Sequence, residues 1–284
     1  MTRHSRRDFL QSSAMGLAAA AALPSLTPVK EGYSPGIRSA IPFRLAITSY
    51  TFKEFGLDDV ISMTLGLNIK NLSLKSYHMP LDSSPDQIRE ITGKVRGAGL
   101  NLYGGGVIDL KTEGEIENAF AYARMAGIKV IIGSPKPDLL GLVEEKVKEH
   151  DIRVAIHNHG PDQDVFQTPS DIMENISGMD PRLGICMDIG HTVRAGSKLL
   201  DETSRCFDRI LDIHLKDVSE ASAEGKPVEI GRGVIDIPSF LSLLIESGYP
   251  YMVSFEFEKN MDNPLPGLSE SVGYIRGVLD VIKA

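Results

Sequence analysis

The sequence predicts an α/β protein, a single (β/α)8 barrel, on three observations. From Phe43 onward, short apolar, β-branched runs alternate with amphipathic helical spacings, and the unit occurs eight times. The alternation fills residues 43–284, the length that a barrel of eight strand–helix units needs. Chemistry-bearing side chains gather at the ends of the apolar runs. Such alternation implies a parallel sheet with helical crossovers. A doubly wound open sheet shares it, but no GxGxxG follows the first run, and eight strict units favour closure.

The elements follow in order. "FRLAITSY" is the first strand, and "LDDVISMTLGL" has helical spacing with aspartates at the start, where they favour the dipole. "NIKNLSLKS" is the second strand. "SSPDQIREITGKVRGAG" is a helix that Ser83 or Ser84 caps, with Pro85 in its first turn and Gly99 at its end. "LNLYGGGVI" is the third strand; its glycines open no phosphate-cradling helix and read as close packing or backbone approach to a ligand. "EGEIENAFAYARMAG" is a helix, "IKVIIGS" the fourth strand and "KPDLLGLVEEKVKEH" a helix. "DIRVAIHNH", "RLGICMD" and "RILDIHLKD" are strands five to seven, with "PSDIMENISG" and "SKLLDETSRCF" as the helices between them. A longer loop, "VSEASAEGKPVEIGRGV", leads to the helix "DIPSFLSLLIESG". "YMVSFEFE" is strand eight and "LSESVGYIRGVLDVIKA" the last helix.

Residues 1–23 read as an export signal. "SRRDFLQ" precedes a short alanine-rich run, and Arg6-Arg7 before Asp8, Phe9 and Leu10 resembles a bacterial twin-arginine signal. The expectation is an exported, periplasmic protein with no stable membrane anchor, because the apolar run is too short to span a bilayer. Residues 24–42, rich in Pro, Ser and Gly, form a linker, and 43–284 the barrel. A net charge of −8 and the absence of Trp argue against nucleic-acid partners. The two cysteines, Cys186 in a strand and Cys206 on a helix, read as buried free thiols.

Active sites of such barrels form at the C-terminal ends of the strands. There this chain places His157 and His159 on strand five, Asp188 then His191 on strand six, His214, Lys216 and Asp217 on strand seven, and Glu256 and Glu258 on strand eight. Lys75 and His78 follow strand two. Five of the seven histidines thus fall at one rim. Strands alternate faces, so His157 and His159, Cys186 and Asp188, His214 and Lys216, and Glu256 and Glu258 each share a face. Imidazoles and carboxylates converging from several strands form a mixed N and O site for one divalent metal ion: zinc, manganese, cobalt or iron. The expected ligands are Asp188, His214, Glu256 and one strand-five histidine, His157 being the first choice and His159 the other. Glu256 between Phe255 and Phe257 faces the barrel interior, where a carboxylate needs a partner. Each member also has a plain structural reading: Asp188 as a helix cap, His214 as a core histidine, Lys75 and His78 as loop residues, Glu258 as solvated beyond the rim. Glu256, His191 and Lys216 are the candidates for catalysis. Lys216 would neutralise developing negative charge or pair with Asp217. Lys75, His78 and His159 stand where a substrate would lie.

At these residues the chain resembles the xylose isomerase-like barrel superfamily. The resemblance covers strands two to eight and is strongest from "VAIHNHG" through "CMDIGH", "DIHLKD" and "IGRGVID" to "SFEFE". It implies a TIM barrel and a metal-dependent sugar isomerase or epimerase that removes a proton beside a carbonyl, through an enediolate. It implies metal-ligand roles for Asp188, His214 and Glu256, a substrate contact for His191, and a place near the substrate for Arg232. Many epimerases have Glu-Asn-His after strand five, where this chain has His157-Asn158-His159. That leaves a lyase or dehydratase, eliminating a β-substituent from a keto-sugar, 3-keto-glycoside or inosose, as the alternative enzyme. A non-catalytic, exported carbohydrate-binding barrel is the alternative outside catalysis. The superfamily's nucleases use three metals and a basic DNA face, which an acidic chain does not offer. The expected partner is a small carbohydrate, and a homo-oligomer stays open.

Overall fold

The expected caps begin the helices. Ser84 accepts the Gln87 backbone N–H, Gln87 returns a bond to the Ser84 N–H, and Pro85 opens the first turn. Thr112 caps the next helix and Thr168 a later one, again with a reciprocal partner, Asp171. The computed structural model describes residues 40–283; the segment read as an export signal and most of the one read as a linker lie outside the described residues.

Eight parallel strands close into a barrel: β1 (Arg44–Thr48), β2 (Asn71–Leu74), β3 (Asn101–Leu110), β4 (Val130–Pro135), β5 (Arg153–His157), β6 (Leu183–Asp188), β7 (Ile210–Leu215) and β8 (Met252–Phe255). Each pairs with its neighbours in the chain, and β1 closes on β8 with Ile47 opposite Phe255. The helices are α1 (Leu57–Gly66), α2 (Pro85–Gly97), α3 (Glu113–Ala126), α4 (Leu140–His150), α5 (Pro169–Ile176), α6 (Ile189–Arg194), α7 (Leu199–Cys206), α8 (Ile237–Glu246) and α9 (Leu265–Ile282). None of the described helices is long and apolar enough to cross a membrane.

Two apolar clusters follow from strand parity. The larger fills the space between sheet and helices, with Ile47, Leu72, Ile131, Val154, Ile185, Ile213 and Phe255 against Val60, Ile88, Phe120, Val143, Ile172 and Phe240. Each such fully buried side chain contributes roughly 1.5–3 kcal/mol. The smaller lies around the alternate strand positions: Val130, Ile132, Ala155, Cys186 and Leu211. Cys186 and Cys206 are both free and buried, as expected.

The elements differ from the sequence reading in three ways that bear on the site. β3 continues to Leu110, past a register shift between Gly106 and Ile108 that lets it keep pairing with β4. A short helix, α6, stands directly after Asp188, where no helix was read. Six residues are too few for a periodic signal, and the cap does the work: Asp188 Oδ1 accepts the His191 N–H at 2.7 Å. Strands five, seven and eight end earlier than read, so Lys216, Glu256 and Glu258 stand just beyond β7 and β8.

Candidate metal and substrate site

Register sets the site. His157 lies opposite Cys186, Asp188 opposite His214, and His214 opposite Ser254, so the C-terminal ends of β5 to β8 meet at one level. There His157 Nε2 stands 3.0 Å from His214 Nδ1 and 3.5 Å from Asp188 Oδ2. His214 Nδ1 lies 3.1 Å from Glu256 Oε2, and His157 Nε2 3.9 Å from the same oxygen. All four residues are buried, and one ligand atom from each lies within 4.8 Å of the others. Cys186 Sγ forms a second grouping with the same two histidines.

These atoms are ligand atoms without a full set of aligned hydrogen-bond partners. Two imidazole nitrogens and two carboxylate oxygens converge, and Asp188 Oδ2 accepts no aligned hydrogen bond. Buried polar atoms without partners are costly. A divalent cation with mixed N and O ligands satisfies all four, so the residues fit such an ion. Of the two strand-five histidines, His157 makes the contacts. His159 stands one level out, its ring 4.5 Å from that of His157 and 6.3 Å from that of His191.

Burial pushes the His157 imidazole well below its ordinary value. Burial and then the His191 charge bring His159 down to about 4. His191, half-buried, is lowered by burial against the pull of Asp188. His214 goes the other way: burial opposes its charge, but Glu256 raises it. Burial would raise both site carboxylates, yet Lys216 and the histidines hold Asp188 and Glu256 below the carboxylate range.

Lys216 is not the partner of Asp217. Its ammonium, buried, lies 2.9 Å from Asp188 Oδ2, 2.9 Å from Glu256 Oε2 and 3.0 Å from Glu258 Oε2. Burial opposes its charge, and those carboxylates raise it well above the usual range. Asp217 instead accepts four backbone N–H groups, from Val218, Gly231, Gly233 and Ile235, and so folds the loop after β7 back on itself. Gly190 makes room for the lysine: a Cβ there would sit 2.5 Å from Lys216 Cγ.

The remaining expected contacts divide. Lys75 Nζ lies 4.6 Å over the Tyr50 ring, beside the site. His78 uses both ring nitrogens inside the protein, Nδ1 with Ser49 Oγ at 2.9 Å and Nε2 with the Phe52 and Phe55 carbonyls at 3.1 Å, and so braces the turn after β1. Arg232 is exposed and its guanidinium pairs with Glu270 on α9. Glu258 is a correction, since it holds Lys216 instead of standing solvated beyond the rim.

Two residues went unread in the sequence. Asn158, buried, accepts the Asp188 N–H at 2.8 Å and donates to the Asp188 carbonyl at 3.2 Å, which fixes the backbone carrying that carboxylate. Its place on the opposite face from His157 and His159 was the available signal. Asp212 lies two residues before His214 on the same face. It is buried, and burial pushes its carboxyl up to about 7. The Tyr103 hydroxyl meets Ser254 Oγ at 2.5 Å, and Ser254 donates to Asp212 Oδ1 at 3.4 Å.

Comparison with known proteins agrees with this fold. The family model described as xylose isomerase-like TIM barrel matches residues 138–278. The rhizopine catabolism protein MocC of Rhizobium meliloti is 27% identical over 138 residues, 43% of this chain. That stretch spans only 42% of MocC itself. Among solved structures, the IolI protein with a bound zinc atom superposes with a TM-score of 0.71 at 14% identity, over 84% of this chain and 98% of its own. An L-ribulose 3-epimerase gives 0.67 at 15% identity, over 84% and 95%. The probable 3-DHS dehydratase AsbF of Bacillus anthracis gives 0.67 at 13%, over 82% and 98%. At these identities the structures speak for the fold. The family match and the strand order lead to one statement: residues 138–278 match the xylose isomerase-like TIM barrel family, and the described chain has the closed eight-stranded barrel of that family.

Proposed function

We propose that this protein is a divalent-metal-dependent sugar isomerase or epimerase that removes a proton beside a carbonyl. The observation that carries the reading is the convergence of His157, Asp188, His214 and Glu256, all buried, within 4.8 Å. Those four residues would hold the ion, which when bound supplies Lewis-acid polarisation of a substrate carbonyl and its neighbouring hydroxyl. The epimerase among the solved neighbours supports the substrate class, a small carbohydrate.

The chain's own groups take different parts. His191 is lowered by burial and carries a neutral ring at neutral pH, so it is the candidate base, with Nδ1 accepting from Arg194 at 3.3 Å until it takes the proton. Its backbone is fixed by Asp188, and Arg194 beside its Nδ1 is clamped to Asp162 through two bonds of 2.5 and 3.0 Å. Lys216 is held charged by three carboxylates, so it stabilises negative charge on the enediolate oxygens and does not take the proton. Gly160 brings the loop after β5 against α6: its φ is +60°, and a Cβ there would lie 2.8 Å from the His191 carbonyl oxygen. That close approach sets the distance between His159 and His191.

A second reading, a lyase or dehydratase, is favoured by one observation. His157 occupies the strand-five position, so the donor set holds two carboxylates, one of which also caps α6. With one carboxylate fewer to return a proton, loss of a β-substituent competes with its return. Incubation of the zinc-loaded and manganese-loaded protein with keto-sugars and 3-keto-glycosides in D₂O tests both. Deuterium at the α-carbon supports the first reading, and loss of a β-substituent supports the second. The His191→Gln variant should slow either by about 10²–10⁴-fold. No exchange and no elimination with any of these sugars would leave only the binding barrel.

A further inference from the structure

We propose that Glu258 is a positioning residue of the site: it receives the Lys216 ammonium when a divalent cation enters between Asp188 and Glu256. The inference rests on the metal-binding reading above. Lys216 Nζ lies 2.9 Å from Asp188 Oδ2 and 2.9 Å from Glu256 Oε2, the same two oxygens that converge with the His157 and His214 nitrogens. Neither contact has hydrogen-bond alignment, so the ammonium is held there by charge. An ion ligated by those oxygens would sit about 2.0–2.2 Å from each. Two cations would then share two oxygens at roughly van der Waals separation, far inside a screening length of about 8 Å. The lysine must give way.

The third contact shows where it goes. Glu258 Oε2 is already 3.0 Å from the ammonium, and its side chain is 23% exposed, against 4% for Glu256. A short outward movement breaks two ionic contacts and keeps the third. The formal charges agree: Asp188, Glu256 and Glu258 against Lys216 leave an excess of two negative charges, which one divalent cation neutralises with the lysine still charged and held by Glu258. Without Glu258 the loaded site would carry a cation beside an unpaired ammonium. Glu258 therefore acts on the ion through the lysine.

Zinc titration of the full chain stripped of metal tests this in wild type, Lys216→Met, Glu258→Gln and the double variant, by calorimetry with chelator competition. Lys216→Met should bind one zinc at least tenfold more tightly than wild type, and Glu258→Gln at least tenfold more weakly. In the Lys216→Met background, Glu258→Gln should change the affinity by less than about threefold, whereas a direct attraction of Glu258 for the ion would give the same loss in both backgrounds. Glu258→Gln leaves the pairs of Lys216 with Asp188 and Glu256 intact, so it reports even if Lys216→Met does not fold. Zinc binding by wild type with Glu258→Gln unchanged, or with equal losses in both backgrounds, overturns the proposal alone. Absence of zinc from wild type and from Lys216→Met overturns the metal reading and the proposal together.

Discussion

Asp188 and His191 are tied by one oxygen and separated by the other. Asp188 Oδ1 accepts the His191 backbone N–H at 2.7 Å and begins α6, while Oδ2 faces His157 at 3.5 Å and Lys216 at 2.9 Å. The cap reading and the ligand reading of this aspartate are therefore compatible: one oxygen fixes the His191 backbone and the other is left to the cluster.

The two tasks can be parted by substitution. Asparagine caps a helix as well as aspartate does, but brings no charge to the donor set. Asp188→Asn and Asp188→Ala should both lose bound zinc by elemental analysis. Only Asp188→Ala should also lose the cap, at about 1 kcal/mol more in urea unfolding. Full zinc content in Asp188→Asn would remove this carboxylate from the site.

The strand-five histidines can be told apart in the same way. His157 Nε2 points into the cluster, whereas His159 faces His157 and His191 from outside it. His157→Ala should weaken zinc binding by well over tenfold, beyond what loss of an outer partner costs. His159→Ala should keep its zinc and lose affinity for sugar. Equal zinc loss in both variants would make the two histidines interchangeable.

The barrel and the rim were legible because both obey short periods. Apolar runs with period 2 gave eight strands, and the same parity placed each rim pair on one face, with Glu256 inward between two buried phenylalanines. What the sequence did not carry is the distance a side chain reaches and what it meets. Lys216 and Asp217 are adjacent and oppositely charged, yet point to opposite sides, one into three carboxylates and the other into four backbone N–H groups. His78 was read from its place after strand two and Arg232 from the resemblance, and each has a local partner. Glu258 was read as solvated because it is the last residue of strand eight as read, at the outer edge of the rim. No periodic signal reports that a lysine from the neighbouring strand arrives at 3.0 Å.

Asp217 gives a prediction on the loop. Four N–H groups converge on its two oxygens, and the residue is buried. Charge-assisted bonds of this kind are about twice as strong as neutral ones, and an amide offers one acceptor oxygen in place of two. Asp217→Asn should destabilise the fold by about 1–3 kcal/mol in urea unfolding and raise hydrogen exchange at Gly231 and Gly233. Unchanged exchange at both glycines would show that the loop holds its shape without this carboxylate.

Acid should release a second anchor, on the turn into β6. Asp180 takes Arg182 Nε at 2.9 Å, Nη2 at 2.8 Å and the Arg182 backbone N–H at 2.9 Å, while its own N–H goes to Glu144 at 2.7 Å and its carbonyl accepts from the buried Arg209. The Arg182 side-chain bonds, and then the backbone bond, hold the Asp180 carboxyl well below its usual range. A depressed native value means that the unfolded chain takes up this proton first as pH falls, near the ordinary value of about 3.9. The contribution of Asp180 is thus fully present at neutral pH, starts to fall below about pH 4, and is lost only as pH passes the lower native value. Urea midpoints of wild type and Asp180→Asn should differ by a constant amount from pH 7 to about pH 5 and converge below about pH 4. A difference that stays constant down to about pH 3, or widens there, would show that the carboxylate charge does not anchor this turn.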